Sequence, residues 1–339
     1  MNIRYIGKIF RGASFEKLKN AIDTVNKNCG KNKFITFVDM VHCAIKYGAG
    51  YNDYVIFEFY KMKVSQRKTY MTRIKNKNLI NRLNDPNFTY LFNEKNEFEK
   101  VFKNFLGRDF LDVKEMDYDK FEKFIEGKEY IFAKPSIGEC GDGIEKIHVS
   151  DFSSAKDLYD YVIDPNKNFG VIEEMLVQHP DVAKIYPHSL NCLRVVTLVN
   201  EGVPHILYSV FKTGNNGNFV DNLESGGFAC HFDLDKGEVV GPAHTSKLVN
   251  YDVHPVTGVK FLGFKLPYVE EVKELVKKAA LVVPNIRYIG WDVCITKDGP
   301  AIIEGNDYPA YDFPQLPDEG SPRIGLIPKI EALGIKVKK

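Results

Sequence analysis

The sequence predicts an α+β fold of two lobes that follows a mainly helical N-terminal region. The chain has 339 residues, enough for about two domains or one two-lobed enzyme. Apolar residues at helical spacing dominate the first ninety residues, whereas strand-like runs become frequent from about residue 129. We therefore divide the chain into a helical region at 1–90, a first lobe at 91–176 and a second lobe at 177–339.

Composition narrows the class of protein and its partners. The formal net charge is +1, which argues against a nucleic-acid surface. No apolar run reaches the roughly 18 residues of a membrane span, and no signal peptide is expected. The six cysteines lack CxxC spacing, which predicts reduced thiols in a cytoplasmic protein. The sequence leaves open whether the chain forms a homo-oligomer.

The first ninety residues predict helices, beginning near Ser14 and again over 36–47, with Gly48 and Gly50 ending the second. The basic run at 61–79 is typical of a solvated helix face, and an anion-binding role is the alternative. Residues 93–106 then predict an amphipathic helix. Lys95 lies in its first turn, where a lysine is unfavourable for the helix dipole, although such a lysine is more often simply exposed.

A strand ending in Lys134 runs directly into a glycine-rich tip. Gly138, Gly141 and Gly143 would let backbone amides wrap a phosphate, although the spacing is neither that of a P-loop nor that of a dinucleotide-binding loop. A flexible turn is the plain alternative. A strand is predicted at 144–149, which makes the segment a hairpin with a glycine-rich tip.

The run at 170–176 is a short apolar strand that ends in Glu173, Glu174, Met175 and Leu176. Such a segment can offer backbone groups to an adenine edge and apolar contact to its face. Asp181, a few residues on, is placed to accept hydrogen bonds from ribose. The alternative is an ordinary strand-to-loop junction.

Two β-like runs, 191–199 and 204–212, predict a hairpin that carries Arg194 and Lys212 among apolar residues. Buried cations need partners, so these two meet either a phosphate or substrate carboxylate, or else a structural ion pair. The polar segment 214–227 is either a substrate loop or a turn. We expect the substrate site to include Asn191, Asp221, Asn222, Gly226, Gly227 and His254, although a lone histidine is more often structural.

The stretch Tyr288–Asp307 predicts a hairpin closed by a three-residue loop, Lys297 to Gly299. This register places Asp292 opposite Glu304, with Asn306 on the same face. Like charges directly opposite destabilise a sheet unless a cation lies between them, and Mg²⁺ prefers such oxygen ligands. A two-residue Asp298–Gly299 turn would instead put Glu304 on the other face. A surface hairpin with solvated acids is the remaining alternative.

Taken in order, these features resemble the ATP-grasp superfamily, which includes D-alanine–D-alanine ligase and ribosomal-protein glutamate ligases. The phrases GWDVCITKDGPAIIEGN and LNCLRVVTL and the VDN…GG segment are more similar to the sugar-transfer-associated ATP-grasp family, generally inferred to act in bacterial surface-glycan (capsule) biosynthesis. The resemblance covers roughly residues 90 to 320. It implies the ATP-grasp fold, in which two α+β lobes clamp ATP.

The resemblance also implies residue roles. Lys95 and Lys134 would contact the nucleotide phosphates under the Gly138–Gly143 flap, and the 173–176 hinge would read adenine. One or two Mg²⁺ ions would be held by Asp292, Glu304 and Asn306. Lys212 would be a further phosphate contact, and Arg194 would steady the transferred phosphoryl group or the carboxylate substrate.

The expected reaction joins a small-molecule or glycan carboxylate to an amine such as an amino acid. The carboxylate attacks the γ-phosphorus of ATP, and the amine then displaces phosphate from the acylphosphate. No covalent protein nucleophile is needed. Two alternatives remain at this point: a kinase on the same fold, which shares every ATP-contacting residue, and a non-catalytic nucleotide-binding module.

Overall fold

The computed structural model describes residues 15–138, 143–217, 221–317 and 322–338. The chain forms two compact units, one of Met1–Leu83 with Ala310–Lys339 and one of Asn84–Pro309. Within the described ranges, no helix is both long and apolar enough to span a bilayer.

The described residues form the following helices: α1 (Phe15–Cys29), α2 (Lys33–Tyr47), α3 (Tyr51–Ile56), α4 (Val64–Arg67), α5 (Arg73–Leu83), α6 (Tyr90–Asn93), α7 (Lys95–Phe102), α8 (Tyr118–Ile125), α9 (Ala155–Val162), α10 (Pro180–Ala183), α11 (Val269–Ala279) and α12 (Ile327–Ala332). They form the following strands: β1 (Phe110–Asp112), β2 (Tyr130–Pro135), β3 (Glu145–His148), β4 (Phe169–Glu174), β5 (Cys192–Asn200), β6 (Val203–Thr213), β7 (Phe228–Asp233), β8 (Glu238–His244), β9 (Asn250–Tyr251), β10 (Tyr288–Thr296) and β11 (Gly299–Asn306).

The first unit is helical, as predicted for the N-terminal region. Asn32 caps α2 by accepting hydrogen bonds from the backbone of its first turn, and Gly48 ends the helix in the left-handed conformation. Its core is aromatic and includes Tyr54, Phe57 and Phe59. These helices therefore have an apolar core of their own.

The C-terminal tail packs with these helices, which differs from the predicted boundaries. The Gln315 side chain accepts from Met71 N at 2.8 Å and donates to Met71 O at 3.0 Å, and Ile327 N donates to Thr69 O. These long-range backbone contacts leave no local signal in the sequence. Residues 310–339 therefore group with the N-terminal helices, whereas the predicted division at residue 176 remains a prediction, with the two sheets on either side of it.

The second unit contains two antiparallel sheets. The four-stranded sheet has the order β1-β4-β2-β3, and its core joins strand residues such as Ile131 to Phe121 of α8 and Leu158 of α9. The seven-stranded sheet has the order β11-β10-β5-β6-β7-β8-β9. Its core includes Trp291 of β10 and Val272 of α11, both fully buried. The fold is thus the predicted α+β arrangement.

The β10–β11 hairpin closes with a different loop from the predicted one. The loop has two residues, Lys297 and Asp298, because Thr296 lies opposite Gly299, whose φ is +122°. A one-residue bulge at Ile303 shifts the register between Val293 and Asp292. Above this bulge Asp292 lies opposite Glu304, so the predicted loop is wrong but the predicted pairing of the two carboxylates is correct.

Gly305 packs closely against the aromatic residues below the hairpin. A Cβ atom at this position would lie 3.0 Å from ring atoms of both Phe92 and Phe98. We expect Gly305→Ala to lower the free energy of unfolding by about 1–3 kcal/mol, because the rings must move to make room. Denaturant titration checks this. Unchanged stability would mean that the rings move at little cost.

Candidate active site

A group of five charged residues, four on neighbouring strands and one in the loop after β6, forms the centre of the candidate site. We call Arg194, Lys212, Asp221, Asp292 and Glu304 the charge cluster. Arg194 of β5 lies opposite Asp292 of β10 and binds its carboxylate through both Nε and Nη2, the latter at 2.7 Å. Lys212 of β6 donates to the same carboxylate at 2.9 Å and lies 3.3 Å from Asp221. The two cations predicted in apolar strands therefore share one buried acid.

The electrostatics of Asp292 follow from these contacts. Burial alone would raise its pKa, but the Arg194 and Lys212 charges together hold the pKa of Asp292 well below its ordinary value. Burial likewise opposes the charge on Lys212, yet Asp221 and Asp292 raise its pKa above the ordinary value. Asp292, Arg194 and Lys212 are therefore all charged at neutral pH.

Glu304 is the open carboxylate of the charge cluster. Half of its side chain is exposed, against 5% for Asp292, and Nη2 of Arg194 lies 3.7 Å from it. Loss of hydration and the nearby Asp292 charge raise the pKa of Glu304, even with this exposure. Asn306 Nδ2 donates to Glu304 Oε1 at 3.3 Å. The three residues predicted as metal ligands are thus adjacent.

The oxygen atoms of Glu304, Asn306 and Asp292 suit Mg²⁺, but these three residues differ in how many of their oxygen lone pairs are free. Glu304 has a solvent-open carboxylate, and Asn306 has its side-chain oxygen opposite the amide nitrogen that donates to Glu304. Asp292 already accepts three hydrogen bonds from cations, which leaves about one of its four lone-pair sites. Across the described part of the chain, no group of three or more His, Cys, Asp or Glu side chains is arranged around a metal position. Glu304 is therefore the principal ligand candidate.

A second buried group surrounds Lys134, and we call Glu99, Arg108, Lys134 and Glu173 the hinge cluster. Lys134 Nζ lies 2.5 Å from Glu173, and Arg108 donates to Glu173 at 2.9 Å and to Glu99 at 2.5 Å. Burial and the Glu173 carboxylate raise the pKa of Glu99 to about 8, despite the Arg108 charge. Burial opposes the charge on Glu173, but Arg108 and Lys134 lower its pKa. At neutral pH Glu173 is therefore the charged carboxylate of the hinge cluster, whereas Glu99 keeps its proton.

Sequence reasoning missed Arg108 and Glu99. A signal for Glu99 exists, because it shares the buried face of α7 with Phe98 and Phe102, where a charged residue needs a partner. Arg108 has only the weak signal of a cation directly after Gly107 at the end of an apolar segment. Its partners lie far away in the sequence.

The raised pKa of Glu99 predicts a pH effect on stability. Above the unfolded-state value of 4.5, the unfolded chain releases a proton that the folded protein keeps up to about pH 8. Stability from this group is therefore complete below about pH 4.5 and is lost as pH rises through about 8. We expect Glu99→Gln to make the free energy of unfolding fall less steeply with pH between about 4.5 and 8. The change in slope should correspond to at most about one proton. Denaturant titrations at several pH values measure this slope, and identical slopes would contradict the assignment.

Lys95 contacts the segment that leads into the glycine-rich tip. Its Nζ donates to Gly138 O at 2.7 Å, and its backbone N donates to Ser136 O. Gly143, on the other side of the tip, has φ +70°, and a Cβ there would lie 2.8 Å from Pro135. The remaining predicted flap glycine, Gly141, lies outside the described residues.

The predicted adenine segment, residues 173–176, begins at Glu173 of the hinge cluster. The Glu173 carboxylate is buried against Lys134 and Arg108, which both bind its Oε2 atom, whereas Oε1 has no hydrogen-bond partner among the described residues. Glu174, Met175 and Leu176 are partly exposed, as a binding segment requires. Asp181 lies in the first turn of α10 and pairs with Lys184 at 2.6 Å, so a ribose contact from Asp181 remains a prediction.

The residues predicted for the substrate separate into two groups. Asp221 belongs to the charge cluster and also accepts from Cys192 N at 3.0 Å. Asn222 and Gly226 shape the loop that follows, where Asn222 accepts from Glu224 N and Gly226 has φ +90°. Gly227 is enclosed by backbone oxygens, and a Cβ there would lie 2.8 Å from Thr213 O.

Asn191 and His254, the other two residues predicted for the substrate, are both buried and hydrogen-bonded to protein groups. Asn191 contacts Gln178, Tyr186, Ser189 and Thr213 through its side chain. The Nε2 atom of His254 is 3.0 Å from Gly214 O, and burial lowers the pKa of His254. His254 therefore contacts the Gly214 backbone, and a substrate contact from either residue remains a prediction.

Comparison with known proteins identifies the family. A search of curated protein sequences finds no significant match. Solved structures with a similar fold include the ATP-grasp ligase PsnB with a minimal precursor, at 15% identity and a TM-score of 0.43 over 74% of this chain and 62% of that one. D-alanyl-alanine synthetase A from Vibrio cholerae is similar at 13% identity and a TM-score of 0.40, over 73% and 61%.

N5-carboxyaminoimidazole synthetase from Staphylococcus aureus with ADP is similar at 14% identity and a TM-score of 0.41, over 66% of this chain and 46% of that one. The chain thus spans less than two thirds of the length of these three proteins. The family model described as sugar-transfer associated ATP-grasp matches residues 74–331, about three quarters of the chain. The chain belongs to the sugar-transfer associated ATP-grasp family.

Proposed function

We propose that the protein is an ATP- and Mg²⁺-dependent ligase that activates a carboxylate as an acylphosphate and joins it to an amine. The charge cluster is the observation that carries the proposal, in a chain of an ATP-grasp family. Two cations converge on Asp292, and the open carboxylate of Glu304 lies opposite it beside Asn306. Phosphoryl transfer needs this combination of fixed cations and metal-binding oxygens.

The residues divide the work of binding ATP. Lys95 and Lys134 contact the phosphates, and the backbone and apolar side chains of 173–176 hold adenine. Glu304, Asn306 and the free lone pair of Asp292 would hold Mg²⁺, which would supply charge neutralisation at the phosphates. The bound triphosphate is a new anion for Lys212 and Arg194. Some of the hydrogen bonds that these two cations donate to Asp292 then go to the reacting groups instead.

The protein contributes to ligation by positioning the reactants and does not need to form a covalent bond to them. The substrate carboxylate attacks the γ-phosphorus of ATP and forms an acylphosphate with release of ADP. The amine then attacks the acyl carbon, and phosphate leaves. Arg194 steadies the carboxylate or the transferred phosphoryl group, and closure of the 138–143 tip excludes water from the acylphosphate.

The family description suggests the setting of the reaction. We propose that the acid or the amine belongs to a bacterial surface-polysaccharide (capsule) precursor and that ligation takes place in the cytoplasm, where ATP is supplied. The polar loop from Asp221 to Gly227 borders the charge cluster through the Lys212–Asp221 contact. A hydroxyl-rich or amino-acid substrate suits these polar groups.

Substrate-dependent ADP release tests the proposal. The purified protein is incubated with ATP, Mg²⁺ and panels of sugar acids and amino acids, each alone and in pairs. We expect ADP release to require an acid and to increase when the matching amine is added, with an amide as the product. A stable phosphorylated alcohol formed without an amine would overturn ligation in favour of a kinase, and nucleotide binding without turnover of any pair would favour a binding module.

A further inference from the structure

We propose that Arg108 is a positioning residue that fixes the ATP-binding lysine Lys134 and the Mg²⁺-side hairpin in one shared arrangement, an inference that rests on the function proposed above. Arg108 lies just before β1, and its side chain is 2% exposed. Its guanidinium hydrogen-bonds both Glu173 of the hinge cluster and the backbone of β11.

On the nucleotide side, Arg108 acts through Glu173. Its Nε donates to Glu173 at 2.9 Å, and the same carboxylate oxygen binds Lys134 Nζ at 2.5 Å. Nη2 of Arg108 contacts Glu99 at 2.5 Å. The Glu173 carboxylate is shared between two cations, so Arg108 limits how strongly Glu173 can neutralise Lys134. Lys134 thereby keeps positive charge for a phosphate.

On the metal side, Arg108 binds the backbone of β11 at the bulge. Nη1 donates to Ile302 O at 2.9 Å and Nη2 to Ile303 O at 3.3 Å. Successive carbonyls of a regular strand point in opposite directions, so two consecutive carbonyls reach one guanidinium only because Ile303 is bulged. Glu304 is the next residue. Arg108 thus holds the backbone that presents the open carboxylate of the charge cluster.

The surrounding structure leaves this guanidinium little freedom. Strand β11 is an edge of its sheet, and Arg108 occupies part of the edge that no strand covers. The preceding residue, Gly107, has φ +61°, and a Cβ there would lie 2.8 Å from the Ala301 Cβ. The chain therefore approaches β11 as closely as a glycine permits. Small movements of the hairpin must be transmitted to Glu173 through a planar group with fixed geometry.

A positioning role for Arg108 differs from a purely structural ion network in one expected result, which is that nucleotide affinity and Mg²⁺ affinity change together. A structural network would change stability alone. A positioning role predicts two effects of the loss of Arg108 in the same folded protein. Nucleotide affinity falls because Lys134 is displaced, and Mg²⁺ affinity falls because Glu304 is displaced. It also predicts that the first effect shrinks once Lys134 is absent.

The experiment is a double-mutant cycle on the full chain, with the non-hydrolysable analogue AMP-PNP as the probe. Calorimetry measures AMP-PNP affinity with and without Mg²⁺ for wild type, Arg108→Gln, Lys134→Met and the double variant. Fluorescence of Trp291 gives the folded fraction. Arg287→Gln is the matched control, since that guanidinium also binds a carbonyl, Val199 O at 2.9 Å, within the same unit.

We expect Arg108→Gln to weaken AMP-PNP binding about tenfold and to raise the Mg²⁺ concentration for half-saturation about tenfold. In the Lys134→Met background the loss of affinity should fall to about twofold, and Arg287→Gln should change neither value by more than about twofold. If Arg108→Gln does not fold, Arg108→Lys decides, because one ammonium cannot bind Glu173 and both carbonyls together. It should lose Mg²⁺ affinity or nucleotide affinity while remaining folded.

Unchanged affinities in folded Arg108 variants would overturn the inference, and so would equal losses with and without Lys134. Absence of AMP-PNP binding by the wild type would overturn it together with the nucleotide site. The cycle measures binding and not turnover. A failed ligation assay would therefore not contradict a positive cycle, and additive effects in the cycle would not contradict the ligase proposal.

Discussion

Asp292→Asn is expected to lower the free energy of unfolding of the Asn84–Pro309 unit by about 3 kcal/mol, at the lower end of the cost of breaking a buried ion pair. Among the described residues, Asp292 is the one carboxylate that binds both Arg194 and Lys212, and its removal leaves these two poorly hydrated cations with Asp221 and Glu304 as the remaining acids. The single tryptophan, Trp291, is fully buried next to Asp292, so its fluorescence in denaturant titrations reports the loss directly.

The control for this variant lies on the same hairpin. Asp298→Asn changes an exposed carboxylate in the loop and should alter stability by less than about 0.5 kcal/mol. Burial opposes the charge on Asp292, but the neighbouring cations hold its pKa well below the ordinary value of 3.8, so its contribution to stability is complete above about pH 4 and declines as pH falls below that value. Equal stability of Asp292→Asn and wild type at pH 7 would show that Asp221 and Glu304 suffice to balance the two cations.

Glu304→Gln is expected to reduce turnover about 10²–10³-fold while the protein stays folded, once a substrate pair has been found. Half of the Glu304 side chain is exposed, so loss of its charge costs little stability. The amide is a poorer ligand for a hard cation, and the remaining activity should need more Mg²⁺. Steady-state ADP release across a Mg²⁺ titration measures both effects.

Glu270→Gln serves as the matched control, since Glu270 is an exposed glutamate of α11 that pairs only with Lys273 among the contacts found for it. Its turnover and Mg²⁺ requirement should equal those of wild type. Full turnover of Glu304→Gln with intact ATP binding would show that the Mg²⁺ ligands lie elsewhere. A loss without any change in Mg²⁺ requirement would assign Glu304 to substrate contact instead.

The sequence was sufficient to predict features that depend on local pattern. Alternating apolar residues predicted the paired strands, and the position of two acids in one hairpin predicted that Asp292 and Glu304 face each other. Arg194 and Lys212 stood out because cations in apolar strands need partners, and both proved to share Asp292. These predictions rest on periodicity and charge, which act over a few residues.

Predictions failed where distant segments decide the outcome. The loop length of the last hairpin was wrong because the bulge at Ile303 is held by Arg108, almost two hundred residues earlier. The contact of His254 with Gly214 O was not predicted, because nothing nearby in the sequence reveals that partner. Arg108 itself was missed for the same reason, as its contacts with Glu173 and Ile302 exist only in the folded chain.

The bulge at Ile303 means that the last hairpin is one residue longer than its ladder requires. With the observed two-residue loop, deletion of Ile303 would give a regular ladder in which the glutamate still lies opposite Asp292. The extra residue therefore adds nothing to the pairing of the carboxylates, and its visible effect is the second carbonyl offered to Arg108. A shortened chain lacking Ile303 would separate the geometry of the two acids from their attachment to the rest of the molecule, which no side-chain substitution can do.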